Sequence, residues 1–214
     1  MGEKPKGFFK KLENFWYHYK IVFLIALFFV GSFAFLTVDY VTKKDPDMVL
    51  CYISQTYGSE AQFEGVDDSL KEIIGDLTGD GRVQLNYRLI FIRAQSSSDT
   101  DVTTEQGFNY SFLDKNVRLY IIEDRFFQEK TLFFEPLEGV LSEEQLAGGL
   151  KNPDGQVCVV PLVDSAVAKE MDFNRPELYV GIKRIMDTER NDELAHRQHE
   201  KAKEVLKYIV EGEI

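Results

Sequence analysis

From Ile21 to Val38 the chain carries no charged side chain, reading IVFLIALFFVGSFAFLTV. Thirteen of these 18 residues are Leu, Ile, Val or Phe. As a helix the run is about 27 Å long, close to the ~30 Å hydrocarbon core of a bilayer. At roughly −0.3 to −0.6 kcal/mol per large apolar residue, insertion is favourable by several kcal/mol. Only Gly31, Ser32 and Thr37 oppose it. Phe15, Trp16, Tyr17 and Tyr19 stand just before the run, where an interfacial aromatic belt belongs. The segment is apolar all round, unlike the one-sided pattern of a core helix. A cleavable signal peptide fits less well. The polar stretch before the run and the run itself are too long, and no small-x-small site follows. A lipoprotein site at Cys51 fails as well, since Val49 and Leu50 precede it. The expectation is a transmembrane helix over 21–41, with Ile21, Leu24, Phe28, Phe33 and Leu36 among its anchoring side chains.

Charge sets the orientation. Lys4, Lys6, Lys10, Lys11 and Lys20 precede the span, against Glu3 and Glu13, while Asp45 and Asp47 dilute Lys43 and Lys44 after it. The positive-inside bias puts residues 1–20, a basic and aromatic segment, in the cytoplasm. A short polar linker, 42–47, leads to one extracytoplasmic domain over 48–214. The whole chain has 25 basic and 36 acidic residues, a net charge of −11. Residues 1–41 hold five and three of them, which leaves a net of −13 beyond the span. That acidic surface excludes a general nucleic-acid binder, whose phosphate contacts need clustered Lys and Arg. Two cysteines and three histidines leave little material for a zinc cluster or a disulfide scaffold.

Beyond the linker, strands and helices alternate. Met48–Ser54, Val83–Ile92, Val117–Ile122, Val157–Leu162 and Leu178–Ile182 read as strands. Val66–Gly75, Glu105–Lys115, Asp124–Glu129, Ser165–Met171 and Asp192–Val210 read as helices, as does a segment opened by a Ser142/Gln145 capping box. Phe133–Leu137 reads as an extended piece. Gly79–Gly81 and Asn152–Gly155 are turns, and Gln95–Thr104 is a polar loop flanked by Asp99, Asp101 and Glu105. This order favours an α/β fold with a single, mostly parallel sheet.

The succession FWYHYK, apolar span, KKDPDMVLCYIS, GDLTGDGRVQLNY, RLYIIEDRFF, FFEPL, VVPLVDSAVAKEM, ELYVGIKR and a final helix resembles a group of uncharacterised membrane-anchored proteins of Gram-positive bacteria. The exported domain of that group resembles one lobe of a type II extracellular (periplasmic) solute-binding protein. The resemblance implies a crevice at the carboxyl ends of the strands. A full receptor closes two lobes over its ligand, and one lobe alone leaves the crevice open. That shifts the expectation toward binding of a protein or envelope component.

The most specific local motif is DLTGDG, Asp76–Gly81. Asp76, Thr78, Asp80, Gly81 and Arg82 fill positions 1, 3, 5, 6 and 7 of a calcium loop, Arg82 through its backbone carbonyl. Position 12 is Tyr87 in place of a bidentate acid, and Asn86 offers a neutral oxygen. The residues permit either a weak calcium site or a plain Gly-Asp-Gly turn. His196, His199 and Glu200 share helical spacing on the last helix, without the metalloprotease order H-E-x-x-H. Cys51 and Cys158 both lie in apolar strands, where small buried residues belong, and a disulfide needs their Cα atoms within ~7 Å. Asp67-Asp68 and Glu143-Glu144 suit helix first turns, and Phe126, Phe127, Phe133 and Phe134 suit the core. G-x-S-x-G, G-x-x-x-x-G-K-[ST] and G-x-G-x-x-G are all missing from the sequence.

The expected function is that of a single-pass, membrane-anchored, non-enzymatic binding or interaction module of the cell envelope, accessory to an envelope or transport complex. Its partners would be the lipid bilayer and an envelope protein, with no nucleic acid and no required cofactor beyond weak calcium. The alternative is a sensor that takes a small solute into the open crevice.

Overall fold

The computed structural model describes residues 6–42, 45–93, 99–163 and 165–212, with side chains over 15–35, 45–93, 104–163 and 165–212. The chain divides into two units, Met1–Lys44 and Asp45–Ile214. The first is one helix, α1 (Lys6–Thr42). Within it Phe15–Phe35 is long and apolar enough to cross a membrane, and none of that stretch is buried. Ile21, Leu24, Phe28 and Phe33 are all exposed. The side chain of Leu36 lies outside the described residues.

The second unit is an α/β domain. Its elements run β1 (Met48–Ser54), α2 (Glu64–Ile74), β2 (Leu85–Phe91), α3 (Asp99–Leu113), β3 (Val117–Glu123) and α4 (Asp124–Lys130). β4 (Leu150–Lys151), β5 (Val157–Pro161), α5 (Ala166–Glu170), β6 (Leu178–Ile182) and α6 (Glu193–Glu211) follow. One six-stranded sheet has the order β2-β1-β3-β6-β5-β4. β1 and β3 are buried at every residue. Such strands are covered on both faces and read as unbroken apolar runs. In β1, Met48, Leu50 and Tyr52 point into the core beneath α2, α5 and α6, while Val49, Cys51 and Ile53 point into the core beneath α3 and α4. The two crossovers, β1-α2-β2 and β2-α3-β3, travel in opposite directions along the sheet. Right-handed connection therefore puts α2 and α3 on opposite faces.

The sheet is mixed, which corrects the expectation of a mostly parallel one. β1 pairs in parallel with β2 and β3, but β3–β6, β5–β6 and β4–β5 are antiparallel. A strand–helix–strand order cannot separate a parallel crossover from an antiparallel connection decorated by a short helix such as the five-residue α5. β6 packs tightly between its neighbours. A Cβ on Gly181 would meet Val159 Cγ1 at 2.5 Å and the Cys158 carbonyl at 2.7 Å.

Three further expectations change. The polar loop shortens, because α3 begins at Asp99. Residues 94–98 and the side chains of Asp99 and Asp101 lie outside the described residues. The capping-box pair forms, with Ser142 N–H donating to Gln145 Oε1 at 2.7 Å, but only turns follow it before Gly148 and Gly149. Phe133 closes a short 3₁₀ turn begun at Thr131, and only Phe134 bridges to Lys183.

The segment expected as linker is part of the domain from Asp45 onward. Lys43 and Lys44 lie outside the described residues. Asp45 pairs with Lys115 Nζ at 2.9 Å and accepts from Asn116 Nδ2 at 3.3 Å. The fully buried Asp47 carboxylate accepts backbone N–H groups from Leu77, Thr78 and Gln84 at 2.7, 2.8 and 2.7 Å. This carboxylate is what fixes the DLTGDG turn against the start of β1. Asp47→Ala strands those donors and should cost about 3–5 kcal/mol in urea unfolding of the Asp45–Ile214 domain. A cost below about 1 kcal/mol would show that the turn is held by other means.

Candidate functional site

The strand ends define two edges of the sheet. At one edge, here the crest, the chain leaves β1 toward β2, while β3 connects to the other half of the sheet. A divergence of this kind opens a crevice at the carboxyl ends of α/β strands. At these carboxyl ends lie Ser54 and Glu123, both buried. Glu123 Oε1 accepts from Ser54 Oγ at 2.5 Å and from the Gln55 backbone N–H at 2.7 Å. Ser54 Oγ in turn accepts from Thr56 N–H at 2.8 Å. The buried carboxylate thereby locks the first turn of the loop after β1. Ser54 is fully buried, so its hydroxyl serves the loop and does not meet solvent.

Two residues beside these strand ends, Gln55 after β1 and Arg175 before β6, carry unpartnered donors. Among the described residues Gln55 Nε2 and Arg175 Nη1 are buried atoms without a hydrogen-bond partner, as are Asn116 Oδ1, Arg118 Nη2 and His199 Nδ1 elsewhere in the domain. Arg175 lies two residues beyond Phe173, whose ring stacks on Tyr52 of β1 at 4.8 Å. That stacking carries the segment before β6 across the end of β1. An aromatic margin adjoins them: Tyr57 is 76% exposed and meets Phe91 edge-on at 6.3 Å, with Arg93 above the Phe91 ring at 5.9 Å. Unpartnered N–H donors near one exposed ring, Tyr57, would suit a ligand that brings carboxylate, phosphate or carbonyl oxygens together with a flat or apolar part.

The opposite edge, the base, is closed by buried charge. Arg118 and Lys183, both fully buried, share Glu189: Arg118 Nη1–Oε2 is 2.9 Å and Lys183 Nζ–Oε1 is 3.1 Å. Lys183 also donates to the Asp114 carbonyl at 2.8 Å. Buried Gln198 of α6 reaches the Asp47 carbonyl at 2.9 Å and lies 3.5 Å from Arg118 Nε. Burial pushes the Lys183 ammonium below its ordinary value, against the pull of Glu189. Burial raises the Glu189 carboxyl, but the Arg118 bond, the Met186 N–H and the two cations outweigh it and leave it below the ordinary value. None of these residues stood out as a site in the sequence. The available signal was a charge interrupting an apolar strand at Arg118 and ending one at Lys183.

Two carboxylates hold the DLTGDG turn, Asp47 from outside it and Asp76 from within. Asp76 Oδ1 accepts from Gly79 and Asp80 N–H at 2.7 and 3.1 Å, and Oδ2 from Gly81 N–H at 2.7 Å. These bonds lower the exposed Asp76 carboxyl, Gly81 foremost. Gly79 and Gly81 adopt φ of 74° and 82°, the left-handed values that the turn requires. Asp80 accepts from Arg82 N–H at 2.9 Å. Thr78 sits on the Asp47 carboxylate, Asn86 is exposed on β2, and Tyr87 stacks on Phe63 and donates to Asp67 at 2.7 Å. Among the described residues no group of three or more His, Cys, Asp or Glu side chains is arranged to hold a metal.

The other candidates separate. His199 is buried and 3.5 Å from Glu135, whereas His196 is exposed against the Arg190 carbonyl and Glu200 pairs with Lys203. Cys51 and Cys158 are both buried and free. β3 and β6 lie between their strands, which puts them roughly 14 Å apart at normal strand spacing, beyond disulfide reach. Burial pushes their thiols up to about 12 and about 11. Phe126, Phe127 and Phe134 are core residues, as expected.

No protein-family model matches the chain, and no curated protein or solved structure is detectably similar to it.

The base network makes a pH prediction. Glu189 is held below its ordinary value, so its contribution is full above the ordinary glutamate range, about 4.3, and is lost as pH falls through the lower folded-state value. Glu189→Gln should destabilise the Asp45–Ile214 domain by roughly 3–5 kcal/mol at neutral pH, because two buried cations lose their counter-charge. It should also flatten the acid limb of the stability curve measured by urea unfolding. An unchanged acid limb would contradict this role.

Proposed function

We propose that the chain is a single-pass, membrane-anchored binding module whose α/β domain stands outside the cytoplasm and binds through the crest crevice. One observation carries the anchored half of this reading: a helix with an apolar 21-residue stretch, none of it buried, belongs to a chain whose other unit has a complete core of its own. The five lysines before the span, against Lys43 and Lys44 just after it, support an N-terminus in the cytoplasm. The crest supports the binding half, since Gln55 and Arg175 hold buried donors without a partner. The β2-β1-β3 order, with its divergence at β1 and β3, supports the likeness to one lobe of a type II solute-binding protein. We propose no catalytic role: the Ser54–Glu123 pair is buried beneath the loop it organises.

The idle donors favour a second reading within the same site. Both atoms are buried, so an acidic solute, or a protein partner's carboxylate or backbone carbonyl, would reach them only as the half-buried Gln55 and Arg175 side chains turn outward.

Both native cysteines are buried, so single introduced cysteines report topology cleanly. In intact cells, a membrane-impermeant maleimide should label Asp154→Cys, on an exposed turn, and leave Glu3→Cys unlabelled until the membrane is opened. The reverse pattern would overturn the orientation, and labelling of neither would place the domain inside.

A further inference from the structure

α1 does not begin at the apolar span. It runs without interruption from Lys6, 15 residues before Ile21. At 3.6 residues per turn, Phe8, Phe9, Leu12, Phe15, Trp16 and Tyr19 fall within an arc of about 120° on this N-terminal part. Lys6, Lys10, Lys11 and Lys20 take helical positions outside the arc, together with Glu13, Asn14, Tyr17 and His18, and the positions of Lys11 and Lys20 adjoin its two margins. Where side chains are described, the arc is continuous with the span. Phe15 lies 5.5 Å from Tyr19 and 6.1 Å from Phe23, and Trp16 lies 6.2 Å from Phe23. Phe15, Trp16 and Tyr19 remain 45–55% exposed.

Length decides where this face can go. Thirty-seven helical residues reach about 55 Å. A bilayer with its headgroups is only ~40–45 Å thick. An upright helix would hold its apolar arc in water for roughly 10–15 Å. A tilt of about 40°, at the upper end of the observed range, brings the whole helix within the bilayer. The arc then lies in the interface, with the lysines at headgroup level. Basic segments beside a span are drawn to anionic lipid. A second copy suits the arc less well, since helices held parallel in one membrane would set lysine beside lysine at each level.

We propose that residues 6–20 form a lipid-binding face: Phe8, Phe9, Leu12, Phe15, Trp16 and Tyr19 seat in the leaflet on the N-terminal side, and Lys6, Lys10 and Lys11 bind anionic phospholipid headgroups. This rests on α1 being the membrane anchor.

Trp16 is the sole tryptophan of the chain, which makes the test direct. The full-length protein is reconstituted into phosphatidylcholine vesicles with or without phosphatidylglycerol. Wild-type Trp16 is compared with Phe8→Trp in a Trp16→Phe background. Lipids brominated on the acyl chain should quench both positions. Acrylamide quenching at position 8 should fall about twofold or more when anionic lipid is present, and Lys6→Gln/Lys10→Gln/Lys11→Gln should abolish that difference. Equal acrylamide quenching in both vesicles overturns the proposal, as does a position 8 shielded from both reagents, the mark of a protein partner. If brominated lipid fails to quench even Trp16, the anchor itself is refuted and this face with it.

Discussion

Two buried cations and one buried carboxylate at the base of the sheet set the terms for the rest of the domain. Arg118, Lys183 and Glu189 tie the start of β3, the end of β6 and the turn before α6 into one cluster. Gln198 extends it to the backbone of Asp47, and the Asp47 carboxylate carries it to the DLTGDG turn and the start of β2. Charges in a low-dielectric interior must be matched in geometry as well as sign. A cluster so constrained admits one register of strand ends. The start of this domain, Asp45–Asp47, is thus held by Lys115, Asn116, Gln198, Gln84 and the DLTGDG backbone.

A closed base has a consequence at the crest. β1 and β3 run parallel from the locked edge, so their carboxyl ends and the loops that follow are presented at the far edge on a rigid support. There the bonding is economical. One oxygen of Glu123 organises the loop after β1, and among the described residues Gln55 Nε2 and Arg175 Nη1 have no hydrogen-bond partner. Recognition groups held by loops on a fixed scaffold are a common arrangement for binding sites. The same division explains why the calcium-loop residues sit apart from the crest. They belong to the base, where Asp47 and Asp76 use them to close a turn.

Much of this was legible in the chain. Central strands buried on both faces are apolar at most positions, so MVLCYIS and VRLYII are legible as strands despite Ser54 and Arg118. The capped helix α6 did too, since Asp192 accepts from Leu194 and Ala195 N–H as its residue type predicts. Strand direction was not legible, because polarity of pairing depends on where a chain returns and leaves no local pattern. The Ser142 capping box was read correctly as chemistry and wrongly as a helix, because two bonds begin a turn but the glycines that follow do not extend it. The charge cluster leaves no local pattern because its members are separated by up to 71 residues. The crest escaped for a related reason: Gln55 and Arg175 are ordinary residues until the Tyr52–Phe173 stack brings their segments together.

Binding at the crest is the claim on which the functional account stands. Tyr57 is the most exposed aromatic side chain there, and Asp154 marks a turn elsewhere on the domain. Replacing each in turn by a photo-crosslinking phenylalanine in the full-length protein, with irradiation in the native membrane, compares the two surfaces directly. The account predicts a defined adduct, protein or small molecule, at position 57, lost with Gln55→Ala, and none at position 154. An adduct at 154 with position 57 bare would contradict it.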